Sequence, residues 1–162
     1  LRSDLEGVVR VYQPDAIVTS GGVSHGKFEV VRQVFEEDGW FGHVAQQPGG
    51  PQGLSKLSSV PVICLPGNPV STLVSFRIYV GPTLGRARAA HTAQVTVPVT
   101  GLESRDQFRR GIIDYENGIA TAELFAGTGS HLISQAMSAN ALIRIPAGAQ
   151  LQPGDVVEVI PF

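Results

Sequence analysis

The stretch Thr19-Ser20-Gly21-Gly22-Val23-Ser24-His25-Gly26 lies between an apolar run and a candidate helix. Glycines there let a backbone come close to a ligand, and the free N–H groups of a helix start favour an anion. A second stretch, Leu65-Pro66-Gly67-Asn68-Pro69-Val70-Ser71, makes the same strand-to-helix passage. Both loops should emerge at the carboxyl edge of one sheet, where open α/β sheets bind ligands, and line a common crevice. Taken singly, each reads equally well as a structural turn or as a ligand cradle. Together they favour a phosphate-bearing small molecule. Glu29 stands three residues past Gly26, about one turn into the helix. It is a candidate magnesium ligand, because Mg²⁺ takes one or two carboxylates plus substrate phosphates. The alternative is a solvated glutamate in the favourable first turn.

Other reactive side chains form no such constellation. His25, His43, His91 and His131 are scattered without zinc-ligand spacing. Ser24 and Ser71 have no identifiable base partner, which argues against a serine nucleophile. Arg105, Arg109 and Arg110 cluster on one expected strand, where alternation sends Arg109 and Arg110 to opposite faces, so at most one of that pair should serve a given site. Gly127-Thr128-Gly129-Ser130 precedes a short expected helix and reads either as an anion-binding turn or as a plain helix cap. The single cysteine, Cys64, sits in the run Val62-Ile63-Cys64-Leu65 and reads as a buried core thiol of a cytoplasmic protein.

The elements that must position these residues follow from periodicity. Leu1, Leu5, Val8 and Tyr12 are spaced for a helix, and Asp15–Thr19 for a short strand. A second helix is expected from about Lys27 to Asp38, ended by Gly39, and a strand near Phe41–Ala45. The Pro- and Gly-rich segment Gln47–Gly53 reads as a loop, and Pro61–Leu65 as a buried strand. Asn68 and Pro69 read as an N-cap and first helical residue of a helix reaching about Val80, with Val70, Leu73, Val74 and Ile78 inward. Strands alternating with helices imply α/β class, with a parallel sheet covered on both sides. After a polar linker at 86–91, five strands are expected: Val95–Val97, Phe108–Tyr115, Ile119–Leu124, Ala141–Ile145 and Val156–Ile160. A short helix at His131–Ser138 falls between the third and the fourth. That density of strands points to a small β-barrel or a curled sheet, and the domains are drawn at 1–85 and 92–162. Three strands make an exposed, undersized sheet, and the chain opens without methionine. The expectation is a fragment whose preceding residues supplied at least one more strand and helix.

The whole chain has 162 residues, is 43% apolar and 16% charged, and carries a net charge of −2 that divides evenly between its halves. A buried core is within reach and disorder is disfavoured. The 19 glycines and 11 prolines exceed the roughly 12% of average usage and forecast many tight turns. Neither half offers the basic face that nucleic acid requires. No run approaches the ~18 apolar residues of a spanning helix, and the start lacks the pattern of a signal peptide.

The Thr19–Gly26 loop with Glu29, and the Leu65–Ser71 loop, resemble those of the molybdopterin molybdenumtransferase (MoeA) family of molybdenum-cofactor biosynthesis. The likeness continues through Phe108-Arg109-Arg110, Gly127–Ser130 and Ser138-Ala139-Asn140-Ala141-Leu142-Ile143, covering nearly the whole chain. It implies that residues 1–85 are most of a three-layer, MogA-like molybdopterin-binding domain lacking its N-terminal part, and 92–162 the C-terminal β domain. The implied reaction is magnesium-dependent insertion of molybdate into adenylated molybdopterin, releasing AMP and molybdenum cofactor. On this resemblance Thr19, Ser20, Gly21, Gly22 and Ser24 hold the substrate's phosphates, and Pro66, Gly67, Asn68, Pro69 and Ser71 shape the neighbouring wall. Gln47 and Pro48 lie beside them, Arg110 and Ser130 contribute from the β domain, and Glu29 is the catalytic, metal-holding carboxylate. A homodimer, a molybdopterin adenylyltransferase partner and a cytoplasmic location are implied in the same way.

Three departures stand out. The family usually carries aspartate where this chain has Glu29. Its Lys-Pro-Gly-Lys-Pro loop appears here as Gln47-Pro48-Gly49-Gly50-Pro51, without two cations, and His25 replaces a small apolar residue. These changes leave two readings, an insertase or a non-catalytic molybdopterin-binding or scaffolding module of the same fold.

Overall fold

The computed structural model describes residues 1–24, 26, 29–85, 88–125 and 138–162. Helix α1 (Arg2–Tyr12) uses the expected spacing to set Leu5 and Val9 against the core, and it ends at Gln13 in the left-handed conformation. Strand β1 (Ile17–Ser20) and helix α2 (Val30–Phe35) follow, with a 3₁₀ turn over Glu36–Asp38. The second helix is thus shorter than its periodicity forecasts, and Lys27 and Phe28 lie outside the described residues. Next come β2 (Trp40–His43), β3 (Gln46–Gln47), β4 (Pro51–Leu57) and β5 (Val60–Leu65). Helix α3 (Pro69–Ser75) begins as expected: Asn68 caps it by accepting from the N–H groups of Val70 and Ser71, and Pro69 occupies the first turn. It does not run on unbroken to Val80. A π turn over Phe76–Val80 leads into α4 (Gly81–Leu84), and the Gly81 N–H reaches back five residues to the Phe76 carbonyl. Pro82 accounts for the change of ladder, since proline has no N–H to donate.

The first sheet has the order β1-β5-β4-β2 and is mixed, where the sequence pattern forecasts a parallel sheet. β1 and β5 are parallel, whereas β4 lies antiparallel between β5 and β2. The pattern conceals β4 because its buried positions include Gln52 and Ser55, while Leu54 is 56% exposed. Such a strand carries no apolar alternation to detect. Against one face of the sheet, Leu5, Val9, Val31 and Phe35 enclose Leu57, Val62 and Cys64. On the other face, cross-strand neighbours Val18, Ile63, Leu54 and Trp40 form an apolar row. Gly39 does not end a helix by a left-handed turn, because its φ is extended. A side chain there would meet the Leu54 carbonyl and Ser55, so glycine permits the close approach to β4.

The second half is a closed barrel, as expected, with its first strand displaced toward the N-terminus. It comprises β6 (His91–Val95), β8 (Asp106–Glu116), β9 (Ile119–Leu124), β10 (Ala141–Ile145) and β12 (Val156–Pro161), with β7 (Val99–Thr100) and β11 (Gln150–Leu151) pairing separately. The barrel order is β10-β12-β6-β9-β8, and β8 pairs back onto β10 to close it. Val95, Ala122, Ile143, Ile145 and Val159 fill the interior. The helix expected at His131–Ser138 lies, apart from Ser138, outside the described residues.

Two features join the halves. β3 pairs parallel with β8, matching Gln46 to Asp106 and Gln47 to Gln107. A third core, Val70, Val74 and Leu142 with Ile78, Phe108, Ile160 and Phe162, packs α3 and the π turn against the barrel. Both bring the segment after β3 beside the N-terminal end of α3. Among the described residues no helix is long and apolar enough to cross a membrane.

Candidate functional site

Parallel pairing brings the carboxyl ends of β1 and β5 side by side, Ser20 opposite Leu65. The two loops leave from that edge and meet. The Gly21 N–H donates to the Leu65 carbonyl at 2.9 Å, and a Cβ on Gly67 would sit 3.0 Å from the Gly21 Cα. Gly21 and Gly22 have φ of +93° and +71°, so the turn requires glycine at both positions. Between the loops opens a cavity of about 310 Å³ bordered by Gly21, Gly22, Ser24, Glu29, Pro66, Gly67, Asn68 and Ser71. The common crevice read from the two motifs is present. Gly49 and Pro51 complete the wall, and sequence reasoning had not singled them out. Their only signal was membership of a loop noted for its missing lysines.

Not every candidate faces this cavity. Thr19 stands opposite Cys64 in the β1–β5 pair, and its hydroxyl is buried away from the lining. Burial pushes the Cys64 thiol pKa up, with the neighbouring Thr19 hydroxyl opposing the shift. The Ser20 hydroxyl lies 3.2 Å from that of Thr72, whose single O–H points toward the Pro66 and Asn68 carbonyls and which therefore accepts from Ser20. Ser20 thereby ties the end of β1 to the start of α3. Pro69 supplies the first turn of α3 and is exposed. Ser130, with Gly127, Thr128 and Gly129, lies outside the described residues, as does His25.

Gln47, Pro48 and Arg110 border a different, adjacent cavity of about 20 Å³, enough for one water. Val70, Gln107, Phe108 and Arg109 complete it. Four successive residues of β8, Gln107 to Arg110, thus border it, so its wall includes strand backbone, while alternation still sends the two arginine side chains to opposite faces. The β3 partner of β8 stops at Gln107 and its β9 partner starts at Gly111, so this stretch of its edge lies between two partner strands. Arg110 is 5% exposed, and burial lowers the pKa of both guanidinium groups. Arg109 donates to the Phe125 carbonyl at 2.9 Å, while its buried Nε has no acceptor among the described residues. Among the described residues that line this cavity the charged ones are Arg109 and Arg110. Segment 47–51 separates the two cavities.

Glu29 is the N-cap of α2, not a residue one turn inside it, and its side chain makes no capping bond. Its Oε1 would lie 3.0 Å from a Cβ on Gly26, so the carboxylate turns back toward the glycine loop. Among the described residues no group of three or more His, Cys, Asp or Glu could hold a metal ion. This donor set fits an ion held by one carboxylate and substrate phosphates, and does not fit a cage built from protein ligands alone.

Residues 2–86 match the sequence model described as a probable molybdopterin binding domain, and residues 92–162 match the MoeA C-terminal region, domain IV. Molybdopterin molybdenumtransferase 2 of Mycobacterium tuberculosis is 38% identical, over 88% of this chain and 40% of its own length. The molybdopterin molybdenumtransferase of Haemophilus influenzae is 31% identical, over 93% of this chain and 40% of its own. A crystal structure of a Pyrococcus molybdopterin biosynthesis MoeA protein superposes with a TM-score of 0.68 and 28% identity, covering 99% of this chain and 40% of that one. The chain thus spans about 40% of the length of these curated relatives. Two adjoining domain matches and a fold shared along almost the whole length show that this chain belongs to the MoeA family of molybdenum-cofactor biosynthesis.

Proposed function

We propose that the chain forms the molybdopterin-binding and C-terminal parts of a molybdopterin molybdenumtransferase. The reaction is insertion of molybdate into the dithiolene of adenylated molybdopterin, with release of AMP and molybdenum cofactor. The observation that carries this reading is the meeting of two glycine-bearing loops over one cavity, beside a second cavity lined by Arg109 and Arg110.

Gly21 and Gly22 take the positive φ that the turn needs, and Gly67 lets the two loops close on each other, which bares the backbone that phosphate oxygens would approach. Ser24, Asn68 and Ser71 add polar groups to the wall. Arg109 and Arg110 supply the positive charge that the 47–51 loop lacks, and that charge suits an oxyanion such as molybdate. Glu29 would hold magnesium, which when bound neutralises phosphate charge. Ser130, a homodimeric assembly, a molybdopterin adenylyltransferase partner and a cytoplasmic setting belong to the same proposal, on family likeness.

The test is calorimetric titration of the chain with adenylated molybdopterin in the presence of magnesium, followed by molybdate addition and assay of AMP release. Weak but measurable binding, below millimolar substrate, with little AMP release, and lost in Gly22→Val, is the expected result for this chain. A folded chain that shows no heat of binding at millimolar substrate would reject the reading.

A further inference from the structure

Gln46 and Gln52 are 4% and 6% exposed, and each reaches into the loop between them. Gln46 Nε2 donates to the Pro48 carbonyl at 2.9 Å, and Gln52 Nε2 donates to the Gly49 carbonyl at 2.7 Å. The Val44 N–H donates to the next carbonyl, that of Gly50, at 2.9 Å. Three successive loop carbonyls are thus engaged by the protein. The two amides converge on one fully buried hydroxyl, Ser75 Oγ, at 2.6 Å from Gln52 and 3.5 Å from Gln46. Tyr79 on the π turn donates to Gln46 Oε1 and closes the set. Gly49 leaves no slack, since a Cβ there would lie 2.8 Å from Ser75 Oγ and 2.9 Å from Gln46 Nε2.

The position of this loop gives the network its importance. Gln47 and Pro48 border the arginine-lined cavity, and Gly49 and Pro51 border the glycine-loop cavity. A carbonyl oxygen turned into either space would repel a phosphate or molybdate oxygen. Packing alone does not call for four polar groups here, because buried polar atoms cost free energy unless each is paired. We propose that Gln46, Gln52, Ser75 and Tyr79 are positioning residues that hold the carbonyls of Pro48 and Gly49 on the protein side, next to the Gly50 carbonyl that the Val44 N–H holds, so that a loop without cations forms the wall between two anion-accepting cavities. This rests on the functional reading above for the identity of the anion, and on the bonds themselves for the frame.

The experiment compares the ¹⁵N-labelled chain with a Gln46→Met/Gln52→Met variant, which keeps side-chain length and removes both amide donors. Tyr79→Phe, at a position 38% exposed, is the milder companion. In the double variant, backbone order parameters at Gly49 and Gly50 should fall from about 0.85 to below about 0.6, while Val62 and Ile143 stay unchanged. Affinity for adenylated molybdopterin should drop at least ten-fold, with a smaller drop for Tyr79→Phe. An ordered loop in the variants overturns the proposal, as does a loosened loop that binds like the parent. If the double variant does not fold, Tyr79→Phe is judged on the same two readings. If the parent chain does not bind the substrate, the functional reading falls, and loop order alone then supports or overturns the frame.

Discussion

Gly22 and Glu29 show how much a single position can decide. The motif suggests that a side chain at 22 would take the place of a phosphate, but the structure directs a Cβ there at Val31, 2.9 Å from Cγ2 and 3.0 Å from the backbone N. Gly22→Val should therefore displace the start of α2 and strain a backbone at φ +71°, at a cost of about 1–3 kcal/mol. Substrate binding should be lost while barrel resonances remain in place, checked by titration and by ¹⁵N spectra. Glu29 makes no capping bond, so Glu29→Gln should shift stability by less than about 0.5 kcal/mol. If Glu29 holds magnesium, the same change should remove most of the magnesium dependence of single-turnover cofactor formation, and Glu29→Asp should keep it. Equal turnover by the Gln variant at every magnesium concentration would return Glu29 to a helix-start residue. The glycine and Pro-Gly-Asn-Pro positions were legible because the residue types themselves announce turns. The border that β8 gives the second cavity was not, since alternation says nothing about where a strand's partners stop.

Among the elements, α3 was the most legible. Asn68 and Pro69 name their own positions, and Asn68→Ala should cost about 1 kcal/mol in urea denaturation through loss of the bonds to Val70 and Ser71. β4 was the least legible, because Gln52 and Ser55 bury polar atoms for which hydrogen bonds supply the partners, and hydrophobic patterning is blind to that. β8 adds an electrostatic test. Burial opposes ionisation of Asp106, but the Ala147 N–H and Arg144 outweigh it and hold its pKa below the ordinary carboxylate range. A depressed folded-state pKa stabilises at pH above the unfolded value near ~3.9 and is lost as pH falls through the folded one. Asp106→Asn should therefore lower stability at pH 7 by up to about 1 kcal/mol, given its partly exposed partner. The deficit should shrink toward pH 3, measured by urea melts at both.

On the scale of the whole molecule, the halves share a core and a strand pair, so neither should unfold independently of the other. Scanning calorimetry should show one transition, and Phe108→Ala, which thins the shared core, should split or broaden it. The barrel carries a further consequence in its strand order. β12, the last strand in sequence, lies between β10 and β6 and belongs to no terminal hairpin. A proteolytic nick ahead of Val156 would therefore do more than trim a tail. It would unzip the cylinder along its length and leave two raw edges, β10 and β6, each offering unpaired backbone groups to any passing strand. The expected fate of such a clipped molecule is aggregation, not a smaller soluble fold.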